Sequence, residues 1–213
     1  MKKLFYLFIL FSPFFLNSCD KQPIAHFGTK TGRTIYGVGE NVQFTSDCID
    51  AYEYIWDYGD GIINDYPSDA AHTSHTYYSP GHYTVYLTVW SKRGKKSSIQ
   101  KLDLTIRETG EMTFWMSESC PGGVKVEFLD QTDYITGYYP SGAPNCGDTY
   151  CAYFTNCPSG SFNFYATGGG YYWSSDITIE AYTCKKLRLS ISSKGEEAID
   201  DENVIVIKGK PIE

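Results

Sequence analysis

Much of what this sequence does not contain is informative. Beyond the first 18 residues no stretch of useful length repeats its apolar residues at a spacing near 3.6, so helices are not expected. Basic side chains are outnumbered, with 18 Lys and Arg against 25 Asp and Glu, which argues against nucleic acid, whose binding rests on neutralised phosphates. There is no Gly-x-Ser-x-Gly elbow, no HExxH and no phosphate loop, so the common hydrolase and nucleotide signatures are missing. Histidine is scarce, with 4 in the chain and none in the cysteine-rich second half. With irregular cysteine spacing, that sets zinc behind disulfides. Neither a metal nor a cofactor is expected. The one long apolar run, Leu4 to Leu16, is shorter than the roughly 20 residues a bilayer-spanning helix needs.

That run follows Met1-Lys2-Lys3 and has the form of a secretory signal. It ends in Leu16-Asn17-Ser18-Cys19, which resembles a bacterial lipobox, in which cleavage precedes a cysteine that is then lipidated. The expectation is a signal peptide over 1–18, a lipidated Cys19 that holds the protein on a membrane, and a short tether over 19–23. The expected location is the cell envelope, as an outer-membrane lipoprotein exposed at the cell surface. Loss of Lys2 and Lys3 takes the net charge from −7 to −9, which disfavours charge-driven attachment to anionic lipid and leaves the acyl chains to hold the protein there.

Apart from Cys19 there are Cys48, Cys120, Cys146, Cys151, Cys157 and Cys184. In an exported chain such thiols read as disulfides, and sequence alone leaves 15 pairings for six cysteines. The expectation is Cys146 with Cys151 across a glycine turn and Cys120 with Cys184 tying a first strand to a last. Cys48 and Cys157 are then free or joined across the domains.

The first half is organised around Trp56-Asp57-Tyr58-Gly59-Asp60-Gly61. The Trp is carried into a core by a strand, and Asp-Gly is a turn signal because glycine takes positive φ without steric cost. His75-Thr76-Tyr77 follows, then a Pro80-Gly81 turn and a strand whose Tyr83, Val85, Leu87 and Val89 point one way. Thr84, Tyr86, Thr88 and Trp90 point the other. Together Trp56, Asp57, Gly59, Asp60, Gly61, His75, Tyr77, Pro80, Gly81 and Tyr83 form a structural motif. It resembles that of the PKD domain, an immunoglobulin-like module, over residues 22 to 107. The resemblance implies a β-sandwich used for adhesion, spacing or contact with protein and glycan, without catalysis. Asp57, Asp60 and Asp65 around the turn read first as turn-makers, with calcium as the alternative. His72, His75 and His82 do not read as a metal site, because residues three apart on a strand face opposite sides.

Glu108-Thr109-Gly110 is the expected joint, giving a first β-sandwich over 24–107 and a second over 111–191. The second shows short alternating strands separated by Gly/Pro turns. Its Phe114-Trp115, Cys120, Val124-Lys125-Val126, Cys146-Gly147, Cys151-Ala152, Trp173 and Cys184 resemble a module related to transthyretin-like and carboxypeptidase-regulatory domains. That resemblance implies a structural or binding module with no fixed ligand. Residues 192–213 read as an acidic linker followed by Val204-Ile205-Val206-Ile207, a terminal strand for an open sheet edge. Aromatics concentrate in the second sandwich, and Tyr138, Tyr139, Tyr171, Tyr172 and Trp173 are the candidate binding residues, since exposed rings stack on sugars or anchor interfaces.

The expected fold is all-β, two tandem sandwiches, immunoglobulin-like then transthyretin-like. The expected function is non-catalytic binding or adhesion at the cell surface, with a glycan or an envelope protein as partner. The alternative is a passive spacer or subunit of an envelope assembly. An accessory or enzyme of glycoside hydrolysis is the remote one.

Overall fold

The computed structural model describes residues 20–68, 71–191 and 204–212. The expected signal, Cys19, and the acidic linker ahead of Val204 lie outside the described residues. So does the side chain of Asp65.

The first sandwich contains β1 (Phe27–Thr29), β2 (Ile35–Gly37), β3 (Asn41–Ser46), β4 (Glu53–Asp57), β5 (Ile63–Ser68), β6 (His72–Thr76), β7 (Gly81–Trp90) and β8 (Ser97–Arg107). One sheet has the order β1-β3-β6 and the other β2-β8-β7-β4-β5. The alternation of β7 places Val85, Leu87 and Val89 in the core, beside Val42, Phe44, Trp56, Leu104 and Ile106. Phe27 meets the Trp56 indole edge-on, with centroids 5.0 Å apart at 86°.

The motif closes the β4–β5 turn with its own side chains. Asp57 Oδ1 accepts the Gly59 N–H at 2.9 Å, and Asp60 Oδ1 accepts the Ile62 N–H at 3.1 Å. Asp60 Oδ2 lies 2.7 Å from His75 Nε2. Gly59 has φ +78°, and a Cβ there would sit 2.5 Å from the Thr84 carbonyl oxygen, so both the turn and the packing require glycine. The buried Tyr77 hydroxyl donates to the Tyr58 carbonyl at 2.9 Å. Tyr83 Oη donates to the Ser79 carbonyl at 3.0 Å, beside the Pro80-Gly81 turn. Asp57 and Asp60 thus act as turn-makers, each accepting a backbone N–H two residues on, with Asp60 also bound to His75.

The second sandwich contains β9 (Thr109–Met116), β10 (Val124–Phe128), β11 (Gln131–Ile135), β12 (Ala152–Pro158), β13 (Gly160–Gly168), β14 (Tyr171–Ile179), β15 (Cys184–Ser190), β16 (Val204–Lys208) and β17 (Lys210–Pro211). A five-stranded sheet β11-β10-β13-β14-β17 faces a four-stranded sheet β12-β9-β15-β16. Phe114, Phe128, Phe154 and Phe164 fill the space between them, with Trp173 and Leu187. Gly110 on β9 is pressed against the chain, since a Cβ would meet the Glu180 carbonyl oxygen at 2.2 Å.

The disulfide joins Cys146 to Cys184, and the expected pairs Cys146–Cys151 and Cys120–Cys184 do not form. The reason is strand direction. β15 runs parallel to β9, with Cys184 opposite Glu111 near the start of β9. Cys120 follows the other end of β9. Five residues from Glu111 to Met116 already separate the two ends by about 17 Å. Cys151 is turned inward beside Ala152, and burial pushes its thiol up to about 11. Cys157 is wholly buried in the core, and its thiol is pushed up to about 12, first by burial. Cys48 is free as well.

A single residue, Glu108, separates β8 from β9, so the sandwiches pack directly. Arg33 of the first donates to Glu40 at 2.8 Å and to Asp130 of the second at 3.1 Å. The Arg107 guanidinium donates to the Ser159 carbonyl at 2.9 Å across the same joint.

Candidate functional site

The aromatic residues of the second sandwich divide among the core, a loop and one sheet face. Trp173 is 1 % exposed, and its Nε1–H donates to the Ser190 carbonyl at 3.1 Å. It is a core residue and not a binding residue. Its place opposite Ala166 and against Gly209 explains this, because small neighbours leave room for an indole. Tyr171 shares its side of β14 and packs against the same core.

Tyr138 and Tyr139 lie on the long loop that crosses the outer face of the four-stranded sheet. The Tyr139 N–H donates to the Met116 carbonyl at 2.8 Å, and its hydroxyl donates to the Thr149 carbonyl. The Cys146–Cys184 bond pins this loop, and β9 is buried on both faces at Thr113 and Trp115. Arg188 lies over the Trp115 ring at 5.9 Å. Tyr139 is therefore a loop anchor, while Tyr138 is exposed.

Of the five candidates only Tyr172 stands on a solvated sheet face. Strand pairing aligns it with residues that sequence reasoning did not single out. Tyr134 pairs with Lys125, Lys125 with Thr167, Thr167 with Tyr172 and Tyr172 with Lys210, forming one row across the five-stranded sheet. The next row holds Thr132, Glu127, Tyr165 and Ser174. Tyr134 is 53 % and Tyr165 43 % exposed. Three strand spacings put Tyr134 and Tyr172 about 14 Å apart. The Tyr165 and Tyr172 rings have centroids 6.3 Å apart, with planes 31° from parallel. The signal for both missed residues was in the sequence. Tyr134 precedes the apolar Ile135, and Tyr165 lies between Phe164 and Ala166, so period-two alternation turns both outward.

Polar groups between the rings are held in place. Lys125 Nζ meets Glu127 Oε1 at 2.6 Å, and that bond holds the ammonium above the ordinary lysine range. The Ser174 hydroxyl donates to Asn163 Oδ1 at 3.2 Å, and Asn163 Nδ2 donates to Asp176 Oδ1 at 3.4 Å. The charged groups on this face, Lys125 and Lys210 against Glu127 and Asp176, balance.

The histidines do not converge. His75 bonds Asp60, and His82 lies 3.1 Å from the Thr105 hydroxyl. Among the described residues one group has metal-ligand spacing, Glu111 with Cys146 and Cys184, and its two sulfurs are committed to the disulfide.

Residues 27–103 match the family model of the PKD domain. The PKD1 domain of the Vibrio cholerae metalloprotease PrtV is 23% identical, with a TM-score of 0.33, over 40% of this chain and 98% of that one. A structure of carbohydrate-binding modules from the β-sandwich superfamily is 18% identical, with a TM-score of 0.38, over 73% of this chain and 58% of that one. A Bacteroides ovatus SGBP-B in complex with a mixed-linkage heptasaccharide is 10% identical, with a TM-score of 0.28, over 80% and 50%. TM-scores this low assign no ligand. No curated protein matches the chain.

Proposed function

With residues 27–103 a PKD domain, we propose that the chain is a non-catalytic, lipid-anchored protein of the cell envelope that captures a neutral polysaccharide. The outer face of the five-stranded sheet is its binding surface. The observation that carries this reading is the registered set Tyr134, Tyr165 and Tyr172 on one solvated face. A pyranose presents a C–H face that packs on an aromatic ring and a rim of hydroxyls that needs donors and acceptors. Both are available here, because Lys125, Glu127, Asn163, Ser174 and Asp176 stand beside the rings. The balance of charge on the face favours an uncharged glycan over a uronate-rich one.

Retardation of the protein in native gels cast with polysaccharides tests the class. Neutral linear glucans, xylans or mannans slow the wild type, and retardation by polyuronates alone contradicts the reading.

Anchoring is supported by the basic start, the apolar run and Leu16-Asn17-Ser18-Cys19. Expressed in a Gram-negative host, the wild type partitions into the detergent phase and Cys19→Ser into the aqueous phase. Equal partitioning of the two removes the lipid anchor from the account.

The spacer reading has its own support in the locked joint at Arg33, where neighbouring modules are held rather than strung. A protein silent on every polysaccharide but recovered with a fixed envelope partner favours it.

A further inference from the structure

We propose that the groove between the two sandwiches is a second subsite for the same polysaccharide, so that the ligand is an extended chain lying across both domains. This rests on the tyrosine face being the glycan surface. The groove has a volume of about 370 Å³ and is lined by Thr34 and Ile35 of the first sandwich and by Leu129, Asp130, Phe162 and Asn163 of the second.

Asn163 joins the two regions. It stands on the outer face of β13 in the polar set with Ser174 and Asp176, and it also forms part of the groove wall. It is two residues from Tyr165, about 7 Å along the strand. The sequence of features along β13 is therefore the Thr167–Tyr172 pair, Tyr165, Asn163 and then the groove. From Thr167 to Phe162 that track is about 17 Å long, more than one sugar ring occupies. The groove has the same mixed chemistry as the face. Phe162, Ile35 and Leu129 offer apolar surface, while the Asp130 carboxylate, the Asn163 amide and the Thr34 hydroxyl offer hydrogen bonds.

The groove is also held open in one shape. Its Leu129-Asp130 wall is a two-residue turn with φ of 50° and 64°, the left-handed region that side chains seldom adopt. Arg33, with a side chain 16% exposed, reaches from the first sandwich to the Asp130 carboxylate and lies 3.5 Å from the Leu129 carbonyl. A preformed wall spares a ligand the cost of ordering it. The PKD module would thus supply part of the binding surface.

Calorimetry with cello-, xylo- and manno-oligosaccharides tests this, comparing a trisaccharide with a hexasaccharide of whichever series the protein retains. The expected result is a hexasaccharide bound about threefold to tenfold more tightly, as one or two added polar contacts provide. Thr34→Trp, on the exposed first-sandwich wall, fills the groove without touching the tyrosines. It should bring the hexasaccharide down to the trisaccharide affinity and leave the trisaccharide unchanged. Asn163→Ala is the second variant, chosen to remove a wall contact without adding bulk, and it should lower the hexasaccharide affinity more than that of the trisaccharide. Equal affinity for the two lengths, or a length preference that survives both variants, overturns the groove subsite while leaving the tyrosine face intact. If Tyr165→Ala binds both lengths as the wild type does, the tyrosine face itself fails and the subsite falls with it.

Discussion

His75 Nε2 lies 2.7 Å from Asp60 Oδ2, and the imidazole stacks on the Tyr58 ring with centroids 4.1 Å apart. The pair joins the turn after β4 to β6 and so ties the two sheets of the first sandwich. Burial raises the Asp60 carboxyl, but the bonds from His75 and the Ile62 N–H outweigh it and leave the group below the ordinary carboxylate value. A carboxyl lowered on folding contributes stability above its unfolded value and loses it as pH falls through the folded one. Asp60→Asn should cost about 2 kcal/mol at neutral pH and flatten the stability loss that begins near pH 4. Urea unfolding at neutral and acid pH measures both, and unchanged acid sensitivity in Asp60→Asn contradicts the assignment.

Non-reducing peptide mapping should recover Cys146 linked to Cys184. The bond closes a separation of 38 residues. Replacing both cysteines with serine should lower stability by about 3 kcal/mol and expose the Trp115 side of the sheet. Trp fluorescence and denaturant melts read this. Recovery of Cys146 linked to Cys151 would sink the loop-pinning account.

Arg33 couples the domains through Glu40 and Asp130. Burial lowers its basicity, but the bonds to the two carboxylates more than offset this, so it remains charged. Arg33→Ala removes the shared member of a partly exposed network, a change that typically costs about 1–2 kcal/mol. The loss should appear at the joint, turning one thermal transition into two. A single transition shifted as a whole would show that the coupling lies elsewhere.

The first sandwich was largely legible because its signals are local. The alternation Tyr83 to Trp90 sets which side of β7 is buried, and Asp57 and Asp60 sit where their oxygens reach N–H groups two residues on. The disulfide was not legible, because the parallel pairing of β9 with β15 links residues some 70 apart and no local pattern announces it. The binding face was half legible. Tyr171-Tyr172-Trp173 alternates by necessity, but three consecutive aromatics do not reveal which side is inward. Ala166, opposite Trp173 on the neighbouring strand, decides it. Once that is known, Tyr172 faces out and Tyr165 joins it.

The most direct test of the account is a calorimetric titration of a neutral linear polysaccharide into the wild type and into Tyr165→Ala, Tyr172→Ala and Tyr138→Ala. The account predicts binding by the wild type and by Tyr138→Ala, with a loss of about tenfold or more in each of the other two, as truncation of a binding aromatic brings. Both weakened variants should keep the wild-type melting temperature within a few degrees, since neither ring is in the core. Wild-type affinity in Tyr165→Ala and Tyr172→Ala, or a loss confined to Tyr138→Ala, would contradict it.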